Sequence, residues 1–218
     1  MIRLALETAT EACSVALQIN DELLVRRKIA ARGHALLLLP WISELLAEAS
    51  LDYGRLDALV VGRGPGGFTS LRIGLGVAQG IALARDLPVH PVSSLDALAE
   101  SQAEDIDSPH LLALLDARMA EVYGACYRAT PSGWSRQGEE FLAMPDAITL
   151  PQPGPWRAVG PGALRYRDSL SSMFRIEDFV EGWPDATALL RLADRNPAVS
   201  AQQLEPTYLR DQVADTGR

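Results

Sequence analysis

A pattern that occurs twice along the chain constrains its fold more than any other feature of the sequence. LALETATEACSVAL (residues 4–17) and LLDARMAEVYGACY (residues 114–127) both read as an apolar strand, an acidic residue, a turn with small residues, a second acidic residue and a second strand. Later in each half, VVGRGPGGF (60–68) is echoed by AVGPGALRY (158–166). Two repeats in the same order predict a duplicated α/β unit rather than one continuous domain.

Hydrophobic periodicity in the first half predicts a hairpin that is followed by alternating helices and strands. Short apolar runs of β type predict strands, and longer runs with helical spacing predict helices. A hairpin followed by crossover helices is typical of a mixed sheet with helical cover. The predicted elements are strands at 2–6, 12–19, 22–28, 58–61 and 89–92, and helices at 33–49 and 69–84.

A polar stretch near the middle of the chain marks the predicted domain boundary. SQAEDIDSPH (101–110) contains Pro109 among polar residues, and such a composition is typical of a linker. We predict an N-terminal domain over residues 1–104 and a smaller C-terminal domain over residues 105–218. The composition of residues 129–157, which are rich in Pro, Gly and Trp, predicts irregular or edge-strand structure.

The overall composition narrows the classes of function. A net charge of −8 with a pI near 4.9 gives a surface that repels phosphate backbones, which disfavours unaided binding of nucleic acid. No apolar run approaches the ~20 residues that span a bilayer, so we expect a cytoplasmic protein without a membrane partner. Cys13 and Cys126 lie in apolar runs and are interpreted as reduced core thiols.

The glycine-rich turn after the strand at 58–61 raises the question of a nucleotide site. Gly62, Gly64 and Gly67 match the G-x-G-x-x-G spacing, but a dinucleotide-binding turn needs an acidic residue at the end of the next strand, and none occurs there. A Walker A loop needs Lys where Phe68 stands. Rigid packing of a strand-to-helix connection explains these glycines equally well. The turn alone therefore does not distinguish a nucleotide site from a packing role.

The helix after this turn carries a stripe of small residues. Gly76, Gly80 and Ala84 recur at four-residue spacing, which lets another backbone approach closely. The preceding helix is apolar around its whole circumference at residues 36–39. Two interpretations remain open: a surface for a protein partner, or a helix buried between the two domains.

The acidic residues at the ends of the repeated first strands resemble those of the actin, sugar kinase and Hsp70 type of protein. Glu7 and Asp116 occupy the acidic places. The turns that follow contain no glycine, which hinders close approach of phosphates, although Thr8 and Thr10 could donate hydrogen bonds. We interpret these four residues as vestigial nucleotide-site positions on a scaffold that has lost its catalytic groups. An actin-like ATPase or small-molecule kinase acting alone is the alternative.

Several motifs together resemble the TsaB family, also called YeaZ. They are LALETATEACSVAL, GPGGFTSLRIGLGVAQGIAL with PVSSLDALA, LLDARMAEVY and PTYLR. The resemblance is densest over residues 1–127 and sparse over 129–200. It implies the actin-like (ASKHA) α/β fold, with two duplicated ribonuclease-H-like domains whose mixed sheets are covered by helices.

The resemblance also implies a function in biosynthesis of threonylcarbamoyladenosine (t6A) on tRNA. The chain would be a non-catalytic subunit that pairs with its catalytic paralogue TsaD and with the ATPase TsaE, and it would self-associate as a homodimer when alone. It would contact tRNA only through that complex. The partner or dimer interface would comprise Leu36, Leu39, Trp41, Arg72, Ile73, Gly76, Val77, Gly80 and Ala84.

The resemblance implies no catalytic residues, cofactor or metal for this chain, with ATP and a metal ion on the partner subunits. TsaD holds its metal partly through a His-x-x-x-His pair, and the matching positions here are Ser94 and Leu98. A metallopeptidase is a further alternative, because that activity has been attributed to the wider family. The lack of any paired histidines in this sequence disfavours it.

Overall fold

The first five strands form one mixed sheet. The computed structural model describes residues 1–29, 32–103 and 108–210. The strands are β1 (Ile2–Glu7), β2 (Ala12–Ile19), β3 (Glu22–Ile29), β4 (Ala58–Gly62) and β5 (Val89–Val92), in the spatial order β3-β2-β1-β4-β5. β1, β2 and β3 pair antiparallel, whereas β4 is parallel to both β1 and β5. This is the hairpin followed by crossovers that the sequence predicts.

The second sheet repeats this arrangement. Its strands are β6 (His110–Arg118), β7 (Glu121–Thr130), β8 (Gly133–Ala143), β9 (Trp156–Val159) and β10 (Ile176–Val180), in the order β10-β9-β6-β7-β8. β6 takes the place of β1, with an antiparallel hairpin on one side and the parallel strand β9 on the other. The predicted duplication is therefore confirmed. β8 is an edge strand, as the composition of its segment allows.

Helices cover both sheets. They are α1 (His34–Glu48), α2 (Phe68–Arg85), α3 (Ser94–Glu100), α4 (Pro161–Arg165), α5 (Arg167–Met173) and α6 (Ala186–Leu192). α1 and α2 cover the outer face of the first sheet, and α4 and α5 cover the outer face of the second. With two mixed sheets and these layers, the chain has the predicted duplicated, actin-like α/β fold.

The alternation of side chains along β1 explains the two different faces of the first sheet. Leu4 and Leu6 are buried against α1 and α2, whereas Ala5 points to the other side, where it meets Ala16, Val60 and α6. Successive strand residues point to opposite faces. Large residues thus fill the outer layer, and small ones let α6 lie close to the inner face.

Each half of the chain contributes one helix that packs against the sheet of the other half. α3, which follows the first sheet, packs its Leu95 and Leu98 against the second sheet. α6, which follows the second sheet, packs against the first. Each sheet is therefore completed by the other half of the chain. The predicted boundary between residues 104 and 105 lies outside the described residues and stays a prediction.

The two outer helices begin and end close to their predicted positions. α1 contains Pro40 in its interior. α2 begins after Gly67, and no side chain caps it. Leu36 is 80% and Leu39 is 50% exposed, so α1 is not buried between the two halves. No helix in the described ranges combines the length and apolarity that crossing a bilayer requires.

Candidate functional site

The carboxyl group of Glu7 lies inside the protein at the end of β1. Glu7 is fully buried. One carboxylate oxygen accepts a hydrogen bond from the amide of Ala9 at 2.7 Å, and the other accepts one from the hydroxyl of Ser94 at 2.9 Å. Burial raises the pKa of Glu7 to about 7, although both hydrogen bonds favour the charged form. This carboxyl group therefore joins the first hairpin to the start of α3.

The glycine-rich turn packs directly on the first hairpin. The amide of Gly67 donates to the carbonyl oxygen of Ala9 at 2.7 Å. A Cβ atom at Gly66 would lie within 3.0 Å of that same oxygen, and one at Gly62 would lie within 3.0 Å of the Glu7 carboxylate. Because real Cβ atoms do not approach backbone so closely, Gly66 requires glycine, whereas a side chain at Gly62 would have to displace the Glu7 carboxylate. Their role here is close packing of backbone against the hairpin.

The glycines on the inner and outer faces of α2 have different surroundings. On the inner face, a Cβ atom at Gly74 would lie within 3.0 Å of the Thr8 side chain. On the outer face, a Cβ atom at Gly76 or Gly80 would have no atom within 4 Å from the described residues outside the adjacent helix backbone. Ala84 is exposed on the same side. Nothing within the described chain explains glycine at Gly76 and Gly80.

The predicted interface residues lie on the outer side of the first half. We call this surface the outer helical face. Leu36, Leu39, Gly76, Gly80 and Ala84 are exposed, and the half-buried members are Trp41, Ile73 and Val77. Sequence reasoning missed Leu83, which is 58% exposed three residues after Gly80. Its helical spacing from the glycine stripe could have indicated it.

Arg72, the remaining predicted interface residue, is held by the C-terminal segment. Its guanidinium group donates to the hydroxyl of Tyr208 at 2.9 Å and lies 3.8 Å from the centroid of the Phe68 ring, a cation–π geometry. The amide of Thr207 donates to the carbonyl oxygen of Arg63 at 2.7 Å. These contacts dock the described part of the C-terminal segment onto the first half of the chain, and sequence reasoning did not find its partners.

A cleft of about 630 Å³ lies between the two hairpins and the starts of α1 and α2. Thr10 and Asp116 line it, whereas Glu7 and Thr8 do not. Asp116 lies 3.3 Å from a guanidinium nitrogen of Arg118. The structure therefore brings together two of the four predicted vestigial nucleotide-site positions and places the other two in the interior. Their role in binding nucleotide stays a prediction.

The positions that match the metal ligands of TsaD lie in the core. Ser94 donates to Glu7, and Leu98 is fully buried against the second sheet. Among the residues that the structure describes, no group of three or more His, Cys, Asp or Glu side chains could hold a metal ion.

Cys13 and Cys126 are both buried, and burial raises the pKa of each thiol to about 11.

Comparison with known proteins gives the family. The family model for TsaD, tRNA N6-adenosine threonylcarbamoyltransferase, matches residues 25–161. The tRNA threonylcarbamoyladenosine biosynthesis protein TsaB of Haemophilus influenzae is 36% identical, with 96% of this chain and 94% of that protein covered. TsaB of Escherichia coli is 35% identical, with 97% and 95% covered. The chain belongs to the TsaB family.

A solved structure agrees with this assignment. YeaZ from Pseudomonas aeruginosa superposes with a TM-score of 0.88 at 37% identity, covering 95% of this chain and 99% of that one. Another Pseudomonas aeruginosa structure with the same TM-score is described as a protein with similarity to peptidase YEAZ. The match to the TsaD model means that this TsaB-family chain shares sequence features with the transferase family over much of both halves.

The contrast between Gly66 and Gly76 gives a stability prediction. Gly66→Ala should destabilise the protein by about 1–3 kcal/mol, because the added methyl group collides with backbone. Gly76→Ala should stabilise it by roughly 0.5–1 kcal/mol, because alanine favours an exposed helical position and meets no atom. Urea denaturation of both variants checks this. Equal effects of the two substitutions would contradict the assignment of the loop glycine to packing.

Glu7 predicts a pH dependence of stability. Its pKa is about 7 in the folded protein against 4.5 for the free group, so its favourable contribution is complete below about 4.5 and is lost as the pH rises through about 7. Glu7→Gln should remove this loss, so the variant should gain stability relative to the wild type between pH 5 and pH 8. Denaturant unfolding at both pH values measures it.

A matched control for this prediction is Glu22→Gln, since Glu22 is exposed. This variant should follow the wild type at both pH values. If Glu7→Gln and the wild type lose stability in parallel between pH 5 and pH 8, the buried carboxyl group does not titrate as described.

Proposed function

We propose that this chain is a non-catalytic subunit of the complex that forms t6A on tRNA. In this proposal it pairs with a TsaD-type transferase, and a TsaE-type ATPase joins the pair. Relatives that are named as t6A biosynthesis proteins over nearly their whole length support the pathway. The observation that carries the subunit role is the outer helical face, where α1 and α2 expose apolar residues together with two glycines that have no packing partner among the described residues.

The chemistry of the outer helical face suits a helical protein partner. Glycines at Gly76 and Gly80 lower the surface of α2, so a partner backbone can approach closely. Each glycine in a helix interior costs roughly 1 kcal/mol relative to alanine, and the residues that the structure describes offer no compensating contact at these two positions. Exposed Leu36, Leu39 and Leu83 would add apolar area at the same surface. We propose that the homodimer uses this face when the partner is absent.

The buried hairpin supports a non-catalytic role. A catalytic carboxylate must reach substrate or metal, whereas the carboxyl group of Glu7 is held by Ala9 and Ser94 in the interior. We therefore propose that ATP and a metal ion act on the partner subunits and that this chain supplies neither.

The surface charge supports indirect contact with tRNA. A net charge of −8 opposes approach of a phosphate backbone, so the partner subunits would hold the tRNA. Since tRNA modification of this kind takes place where the tRNA is used, we propose a cytoplasmic location.

An actin-like ATPase or kinase acting alone is the second candidate. The cleft that Thr10 and Asp116 line favours it. Magnesium-dependent ATP turnover by the purified chain, without partners, would support this candidate over the subunit role.

The test of the proposed function is formation of t6A by a reconstituted mixture that contains the transferase, the ATPase, tRNA and the small-molecule substrates. Mixtures with and without this chain are compared by nucleoside mass spectrometry. Product that forms only when the chain is present supports an essential subunit. Equal product without it would contradict the proposal.

Substitutions on the outer helical face test where the partner binds. Gly76→Leu or Gly80→Leu should abolish pairing with the transferase, because the added side chain separates the two backbones. The monomer should stay folded, because no described residue outside the local helix backbone comes within 4 Å of either Cβ position. Ser171→Leu, at an exposed position of α5, is the matched control. Pull-down with thermal unfolding of each variant gives the result, and intact pairing by both glycine variants would refute the interface.

A further inference from the structure

β3 is an edge strand that is open to further pairing. It stands at the end of the first sheet, and its one neighbour among the described strands is β2. Each residue of β3 pairs with β2 without a shift in register. The apolar side chains of Leu23, Val25 and Ile29 are 46%, 36% and 55% exposed. A regular, apolar edge strand presents a row of unpaired backbone groups to any strand that approaches it.

The other three edge strands are each protected. β5 is covered by Val199, whose amide donates to the carbonyl oxygen of Val89 at 2.8 Å. β8 and β10 each have a register shift against their neighbouring strand, and such irregularities turn an edge away from further pairing. Within the described ranges, β3 is therefore the one sheet edge that has neither a covering segment nor a shift in register.

The hairpin turn before β3 determines which of its backbone groups point outward. Ile19 pairs with Glu22 across the two-residue turn at 20–21. The residues that flank such a turn bond to each other, and the direction of the backbone groups alternates along the strand from there. The carbonyl oxygen of Val25 accepts a hydrogen bond from the exposed Arg26 side chain at 3.2 Å, a contact that an incoming strand can displace. The residues whose N–H and C=O groups point away from β2 are Leu23, Val25, Arg27 and Ile29.

The order of residues along β3 suits a second copy of the same strand that runs in the opposite direction. Residues 21–28 read DELLVRRK, which is two acidic residues, three apolar ones and three basic ones. An antiparallel pair centred on Leu24 brings apolar residues opposite apolar ones and acidic residues opposite basic ones, and such cross-strand pairs stabilise a sheet. The same register brings the outward groups of Leu23 and Val25 together. The facing pairs are Leu24 with Leu24, Leu23 with Val25, Glu22 with Arg26 and Asp21 with Arg27.

We propose that β3 of one copy of this chain pairs antiparallel with β3 of a second copy, with Leu24 on the two-fold axis. The first sheets of the two copies then form one continuous sheet. The contact is isologous, because the same residues contribute from both sides. β3 supplies no residue to the outer helical face, so this is a second self-association surface, and the inference goes beyond the proposed function.

Oxidative cross-linking of cysteine variants tests the pairing and its register. Facing residues of a non-hydrogen-bonded pair have Cα atoms about 4.5 Å apart, a separation that a disulfide spans. With diamide as the oxidant, Leu24→Cys should therefore give a disulfide-linked dimer on non-reducing electrophoresis. The native thiols are buried, so the wild type should stay monomeric on the gel.

Two matched variants serve as controls for the cross-link. In the proposed register the two copies of Val25 are diagonal neighbours, about 7–8 Å apart, and Glu177 is an exposed residue of the edge strand β10. Val25→Cys and Glu177→Cys should each cross-link roughly tenfold less than Leu24→Cys. Absence of a dimer with Leu24→Cys would overturn the proposal, and so would Val25→Cys that cross-links as well as Leu24→Cys.

Charge reversals in the Leu24→Cys chain give an independent test. Glu22→Arg brings two positive charges opposite each other, and Arg26→Glu brings two negative ones, so either variant alone should cross-link roughly tenfold less. A mixture of the two variants restores opposite charges in both pairs and should cross-link to within about twofold of Leu24→Cys alone. A mixture that cross-links no better than either variant alone would contradict the proposed pairing.

Thermal unfolding of each variant guards this test against a folding defect. Glu22 is exposed, and Arg26 forms ion pairs with Glu44 and Glu48 on the surface of α1, whose loss costs little. Both reversal variants should therefore unfold close to the temperature of Leu24→Cys. Glu177→Arg, added to Leu24→Cys, reverses a charge on the other sheet and should leave the cross-link unchanged. An equal loss of the cross-link with Glu177→Arg would overturn the assignment to β3.

Discussion

The contact between the glycine-rich turn and the first hairpin positions everything that follows in the first half. The carbonyl oxygen of Ala9 accepts from the amide of Gly67, and no side chain larger than hydrogen fits at Gly66. This contact fixes where α2 begins and how it lies on the sheet. One face of α2 is then buried by Leu71, Leu75 and Ala78, and its outer face is left open. The glycines of the turn and those of the helix therefore have different physical roles.

Local patterns in the sequence predict local structure well in this chain. Strand residues alternate between faces, and helical residues recur every three to four positions, so β1 to β5, α1 and α2 could be placed within about one or two residues. The duplicated sheet was predictable because the acidic strand ends recur, at Glu7 and at Asp116. The outer helical face was predictable because Gly76, Gly80 and Ala84 share one stripe.

Contacts between residues that are far apart in the sequence could not be predicted from local patterns. Ser94 binds Glu7 across 87 positions, and the amide of Ala186 donates to the hydroxyl of Ser14 across 172. Neither pair leaves a periodic signal, so the interior position of Glu7 and the exchange of α3 and α6 could not be predicted. The cleft has the same origin, because α1, α2 and both hairpins must be in place before His34 lines it.

The central claim is that the outer faces of α1 and α2 form the partner surface. Hydrogen–deuterium exchange of the chain, alone as a monomer and then saturated with the transferase, tests it most directly. The account predicts added protection confined to peptides from residues 34–48 and 68–85. Added protection confined to the second sheet, or none, would contradict it.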